Sequence, residues 1–503
     1  MDALSASMSD ATDPHFLPIP RSAYNREAAL ASLAYADREF PPSAAATLLA
    51  EPANEELLRC VSSDAFTHVF PGDNHRYQPD EFFSDLDAEL ACSPCFHLWA
   101  EIPLCRYRCH FCEFPILVLG HDHKKGEALA RRWVDANIRE AGRWLEAVPA
   151  MRSTPVGEFC LFGGTPTAIP MAELARLFDY YRTHFVFDDQ TELRIEGSPD
   201  TLTPAMLSAL RELGFSTLTF GIQSFDDELL ALANRRHTVA QAEAAITEGR
   251  RAGFTRVDGD LVWGLPGQRV AGFVADVERM IALGFDTVVA MKLHLRSPSE
   301  VDSAVGNVRP AAWEQRTGQE AVARRGHRWP SLGEQYQMRE AAVERLGQSG
   351  YYEHPTTYFP SRGTGVTKWR ALNLDQDKQY PQVGIGLGGY TWSSRSEAQT
   401  TANPAEYMEA VAADRIPLAT VTQISPDSRS RRAVRMALST CQPVHEDEHC
   451  RRFPDSPLLA GRFGSVFNSL EERGLMRIDR NQGVVAVTEI GATLIEAIIN
   501  TEI

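Results

Sequence analysis

Phe96-His-Leu-Trp-Ala-Glu-Ile-Pro-Leu104 runs straight into Cys105-Arg-Tyr-Arg-Cys109-His-Phe-Cys112. The first part is an apolar run of strand character. The second sets three cysteines at CxxxCxxC spacing within one tight loop. Three thiolates so placed can hold three irons of a 4Fe-4S cube and leave the fourth iron open, whereas the usual protein-held cluster has four protein ligands. A small molecule would then complete the coordination. Three close cysteines also suit a zinc site, and spacing alone leaves that alternative standing.

The chain on either side repeats one pattern. Lys125 to Val148 shows helical spacing of apolar residues, and Glu158-Phe-Cys-Leu-Phe162 is a short buried strand ending in Gly163-Gly-Thr-Pro-Thr167. Further strands are predicted at 192–196, 217–222, 256–263 and 287–295, with helices at 204–213, 226–234 and 270–283 between them. Such alternation means βα units and a parallel sheet. About six units make a partial or full barrel, whose chemistry lies at the carboxyl ends of the strands. Every polar motif falls there.

Those motifs resemble the oxygen-independent coproporphyrinogen III oxidase family, the HemN-like radical S-adenosylmethionine (SAM) proteins, from about residue 96 onward. The resemblance implies an α/β fold: a partial (β/α)6-type radical SAM barrel with an N-terminal extension and a small C-terminal winged-helix-like domain. It implies Cys105, Cys109 and Cys112 as ligands of a 4Fe-4S cluster that reduces SAM to a 5′-deoxyadenosyl radical. Gly163, Gly164 and Thr165 match the family's GGTPT loop, which meets the SAM amino group, and Glu196 in I-E-G-S-P-D matches its SAM-contacting glutamate. Phe111, between the last two cysteines, is counted with the cofactor-binding residues. Gln223 in G-I-Q-S-F, Arg235 and Asp260 in D-L-V-W-G-L-P-G-Q match positions that meet SAM, some of them a second molecule. Taken singly, each could be a strand-end carboxylate, a surface charge, a helix cap or a plain turn. Their order and common placement argue otherwise.

The pattern departs from the family at two positions. Where the oxidases begin the strand Tyr-x-His-Ile-Pro-Phe-Cys, this chain has Trp99-Ala-Glu101-Ile-Pro-Leu-Cys105. Trp99 takes the place of a SAM-contacting tyrosine, and Glu101 that of a histidine able to donate a proton. In an extended strand positions 101, 103 and 105 share a face, so Glu101 is expected to point toward the cluster side of the cavity. Glu101 and Gln223 are thus the candidate catalytic residues. The expected activity is methyl or methylene transfer to a small molecule with two SAM molecules. Oxidative decarboxylation and haem chaperoning are the alternatives. A flavodoxin-type or chemical electron donor is the expected partner.

The remaining chain divides into residues 1–95, an extension flexible at its start and helical from Asn25 to Leu49; 96–325, the barrel; 326–425, a family-like extension over the substrate mouth; and 426–503, the winged-helix-like domain. Its segment Gln382-Val-Gly-Ile-Gly-Leu-Gly-Gly-Tyr-Thr-Trp392 also suits a glycine-rich hairpin. Cys92-Ser-Pro-Cys95 reads as a turn holding two thiols rather than a second cluster. A net charge of −17 argues against nucleic-acid or anionic-membrane binding. No stretch approaches the ~20 apolar residues of a membrane span, and the first residues lack a secretion signal. A cytoplasmic location is expected.

Overall fold

The computed structural model describes residues 23–64, 75–295, 311–373 and 380–503; the expected flexible start lies outside them. Six strands, β1 (Phe96–Ile102), β2 (Val156–Gly163), β3 (Glu192–Gly197), β4 (Thr217–Gln223), β5 (Arg256–Trp263) and β6 (Thr287–Lys292), follow one another in this order, each parallel to the next. Between them run α1 (His123–Ala147), α2 (Met171–His184), α3 (Pro204–Leu213), α4 (Asp227–Leu232), α5 (Val239–Ala252) and α6 (Val270–Leu283). Alternate strand residues explain the layering. Leu98, Ala100 and Ile102 of β1, Phe159 and Leu161 of β2, and Leu218 and Ile222 of β4 join one core with Trp144, Leu177, Leu210, Ile246 and Val277 of the helices. The other face is charged and buried, so its groups must pair: Arg194 Nε donates to Glu158 Oε1 at 3.1 Å, and Arg194 Nη1 to Glu196 Oε1 at 3.2 Å.

The sheet continues past both edges. β7 (Tyr358–Pro360) adds antiparallel to β6, while β8 (Gln382–Ile385) adds parallel to β1 and leads through β9 (Tyr390–Trp392), β10 (Ser396–Thr400) and β11 (Leu418–Gln423). The glycine-rich segment is therefore a hairpin, and one that widens the barrel sheet. Its glycines permit close approach: a Cβ on Gly384 would strike the backbone of Tyr390, and one on Gly386 the backbone of Glu101.

Two expectations change here. The single helix expected from Asn25 to Leu49 is two, Arg26–Ala34 and Ala44–Leu49, because Pro41-Pro42 interrupts it. Nor does the N-terminal segment stand apart. Leu33, Leu49, Leu57 and Val61 share a second core with Leu332 and Tyr336 of α7 (Leu332–Gln348) and with Val434, Phe463, Phe467 and Ile498 of the C-terminal region. That region pairs Val444–His445, Met476–Asp479 and Val484–Val487 in a three-stranded sheet among short helices. Cys92 ends a helix and Ser93-Pro94 turns the chain into β1, as the turn reading requires. Among the described residues no helix is long and apolar enough to cross a membrane.

Candidate active site at the carboxyl ends of the strands

Pro103 ends β1, and the chain then pairs Leu104–Cys105 with Leu117–Val118, which closes the cysteine loop. The carboxyl end of α4 grips that loop from one side. His110 N donates to Ala233 O at 3.0 Å, and Asn234 Nδ2 to Arg108 O at 2.7 Å. From the other side the loop after β2 supports it, with Gly164 N on Ile102 O and Thr165 N on Leu104 O, both 2.8 Å. A Cβ on Gly164 would lie 2.7 Å from Leu104 N and O, so only glycine allows this approach. The Cys105 Sγ and Thr165 Oγ1 atoms are 3.4 Å apart.

Cys105, Cys109 and Cys112 open on a cavity of about 610 Å³, together with Phe111, Gly163, Gly164, Thr165, Glu196, Gln223, Arg235 and Asp260. Its size falls within the range of small-ligand sites, about 300–1,000 Å³. Arg235 binds three partners at once: Nη1 donates to Cys109 Sγ at 3.4 Å, and Nη2 to Ser198 Oγ at 3.0 Å and to Gly221 O. Its guanidinium also lies over the Tyr107 ring at 5.8 Å. Gln223 sits at a break in the β4–β5 register with φ of 74°, a left-handed conformation that costs a non-glycine residue on the order of 1–3 kcal/mol and is concentrated at ligand sites. Burial, followed by the nearby Glu196 and Asp258, pushes Asp260 up to about 7. Burial also raises Glu196, against the opposing charge of Arg194.

A cluster fits this donor set. The three thiols share one loop and open on one cavity, which leaves a fourth position of a cluster to a small molecule. Burial pushes Cys105 up to about 11, and burial with Cys109 pushes Cys112 up to about 12. The bare loop thus carries protonated thiols at these two positions, and iron would replace the protons. Hydrogen bonds to the sulfurs, such as that from Arg235, tune such a centre. Exposed Cys92 and half-buried Cys95 are not part of the lining.

Two expected positions are corrected. Trp99 does not line the cavity; it packs inside the barrel against Phe162 and Trp369, with Arg194 over its ring at 5.4 Å. Glu101 also lies outside the lining and is 4% exposed. It fills the space left by Gly163 and Gly388, and burial, then Glu140 and Glu196, raise its carboxyl well above the ordinary value. The face shared by positions 97, 99 and 101 does not carry on to Cys105, because Pro103 breaks the strand between them.

The same cavity is lined also by Lys292, His294, Tyr358, Ser439 and Glu496, which the sequence motifs do not mark. Lys292 and His294 follow from the rule that functional groups sit where barrel strands end. Nothing local signals Glu496.

Residues 102–280 match the Radical SAM superfamily model. The chain is 23% identical over 401 residues to the heme chaperone HemW of Bacillus subtilis (strain 168), covering 79% of this chain and 96% of that protein. It is 31% identical over 189 residues to the oxygen-independent coproporphyrinogen III oxidase of Escherichia coli (strain K12), spanning 38% of this chain and 40% of the oxidase. The solved structure of coproporphyrinogen III oxidase (HemN) from Escherichia coli superposes with a TM-score of 0.72 at 21% identity, covering 86% of this chain and 96% of that one; the fold is shared.

Proposed function

We propose that the chain is a HemN-like radical SAM protein with a 4Fe-4S cluster and SAM as its cofactors, and that it handles haem. The observation that carries this reading is the extent of the match to a protein named a heme chaperone, which runs along 96% of that relative. It replaces carbon transfer as the first reading. A bound cluster would supply a single electron to SAM. Cys105, Cys109 and Cys112 would hold it, the Gly163-Gly164-Thr165 backbone and Glu196 would seat SAM beside it, and Arg235 would keep Cys109 oriented. A flavodoxin-type protein is the proposed electron donor.

Methyl or methylene transfer with a second SAM is the other reading, favoured by the strained Gln223 with Arg235 and Asp260 in the same cavity. Porphyrinogen decarboxylation is set lower, because Glu101 replaces the histidine of the oxidases. The test is an anaerobic haem titration of the reconstituted protein, run beside product analysis with SAM and dithionite. Stoichiometric haem binding with little SAM cleavage is expected. Methylthioadenosine or S-adenosylhomocysteine from a protein that takes up no haem would overturn the proposal in favour of carbon transfer.

A further inference from the structure

Arg435 lies toward the end of the helix Pro426–Ser439 and is 6% exposed. Other arginines nearby find acceptors: Arg432 donates to Ser393 O at 2.7 Å and meets Glu397 at 3.4 Å, and Arg431 Nε donates to Ile503 O at 3.1 Å. Buried Arg339 of α7 is paired with Glu353. Arg435 differs. Its Nε is sealed from solvent with no hydrogen-bond partner, and among the described residues no carboxylate pairs with it. The charges that act on it are two further cations, Arg431 and Arg462. Arg431 stands one turn earlier on the same helix face, where like charges repel. Arg462 comes from the helix Gly461–Glu472, with Nη1 held 3.3 Å from Asp427 Oδ2. Burial, then those two guanidinium groups, push Arg435 down to about 10, so the fold opposes its charge instead of offsetting it.

A guanidinium carries five donors, has no acceptor capacity and stays charged at neutral pH. A buried charge left without a partner is strongly unfavourable, and an unsatisfied group of this kind marks the place of a water or an ion. Water would satisfy the donors but leave the like charges unopposed. An anion does both, and the planar fork of arginine matches two oxygens of a carboxylate or phosphate at once. We propose that Arg435, with Arg431 and Arg462, forms a binding site for an oxyanion, a phosphate or carboxylate group. Since Nε is the sealed atom, the terminal nitrogens are the end that the anion meets. Ser439, one turn farther on the same face and about 6 Å along the axis, lines the cavity of the cysteines. The anion site therefore stands beside that cavity, leaves its volume to the cluster and SAM, and joins two helices of the C-terminal region. It stands whether or not the protein handles haem.

The test uses the full chain with its cluster reconstituted, kept anaerobically in chloride buffer at constant ionic strength and titrated calorimetrically with inorganic phosphate and, separately, with succinate. At least one of the two is expected to bind saturably at one site per chain and to raise the melting temperature; the tighter one names the class of anion. Arg435→Met should bind it roughly 10–100-fold more weakly, the loss expected for a charge-assisted partner. Arg316→Met, which changes an exposed arginine, should bind as wild type does. Without added anion Arg435→Met should melt at or above the wild-type temperature, because an unpaired buried charge gives way to an apolar side chain; its weaker binding is then not a sign of misfolding. Saturable binding of neither anion to wild type, unchanged binding by Arg435→Met, or a variant that melts well below wild type in anion-free buffer would each overturn the site.

Discussion

Gly163→Ala tests the geometry on which the loop after β2, proposed to seat SAM, depends. Gly163 has φ of +107°, and a Cβ added there would overlap Glu101 Cγ and lie 3.2 Å from Oε1 and 3.3 Å from Cδ. Two costs combine. A non-glycine residue at such a φ is strained by on the order of 1–3 kcal/mol, and forcing a methyl group against a buried side chain adds about 1–3 kcal/mol. The expected loss of stability is therefore roughly 2–6 kcal/mol by these two terms, read from urea unfolding, together with weaker SAM binding by equilibrium dialysis. The overlap term belongs to the pair and not to Gly163 alone. In a Glu101→Ala background the opposing Cγ is gone, so Gly163→Ala should then cost only the backbone strain, about 1–3 kcal/mol. Equal cost in both backgrounds, or a loss within about 0.5 kcal/mol of zero, would refute the packing of Glu101 against this loop.

Changing Cys105, Cys109 or Cys112 to Ala should abolish the brown absorbance of the reconstituted protein and all SAM cleavage, whereas Cys92→Ala should keep both; iron analysis near eight per chain would instead revive a second cluster. Arg235→Ala removes the donors to Cys109 Sγ, Ser198 Oγ and Gly221 O, and should destabilise the protein by about 2–4 kcal/mol, the cost of several charge-assisted bonds; melting temperature and the cluster's redox potential should both move. Asp260 has a folded pKa of about 7 against the ordinary 3.8, so its neutral form is the one favoured by the fold. Stability from this group is complete below about pH 4 and is lost as pH rises through about 7. Asp260→Asn should accordingly raise the melting temperature at pH 8 and leave it unchanged near pH 4, and a variant equally stabilised at both would show that Asp260 is not titrating there.

The chemistry at the cysteine end was legible because its determinants are local. CxxxCxxC is one loop, GGTPT is one turn, and the alternation of apolar runs with helical periodicity announces βα units within windows of about 10–18 residues. Glu196 and Gln223 stand at the ends of β3 and β4, Arg235 just after α4 and Asp260 within β5, and the structure brings all of them into one cavity with the thiols. Trp99 and Glu101 show where local reading stops. Period-2 alternation holds only while a strand continues, and Pro103 resets the facing between Glu101 and Cys105. Helical tendency likewise spoke for one helix from Asn25 to Leu49, although two prolines divide it.

Other features depend on which distant segments fold against each other. The sharing of one core by residues near 33–61 and 434–498 has no sequence signature, since an apolar helix face shows that it is covered and not by what. Asp64 meets Lys292 and His294 across 228 and 230 positions of chain. Sequence could mark the barrel, the cysteine loop and the residues that share a cavity with it, because short-range sterics and periodicity impose them on any chain with that spacing. The setting of Lys292 and His294 in the lining was decided by tertiary packing, because the buried Asp64 carboxylate that holds them comes from a distant segment that only the fold delivers.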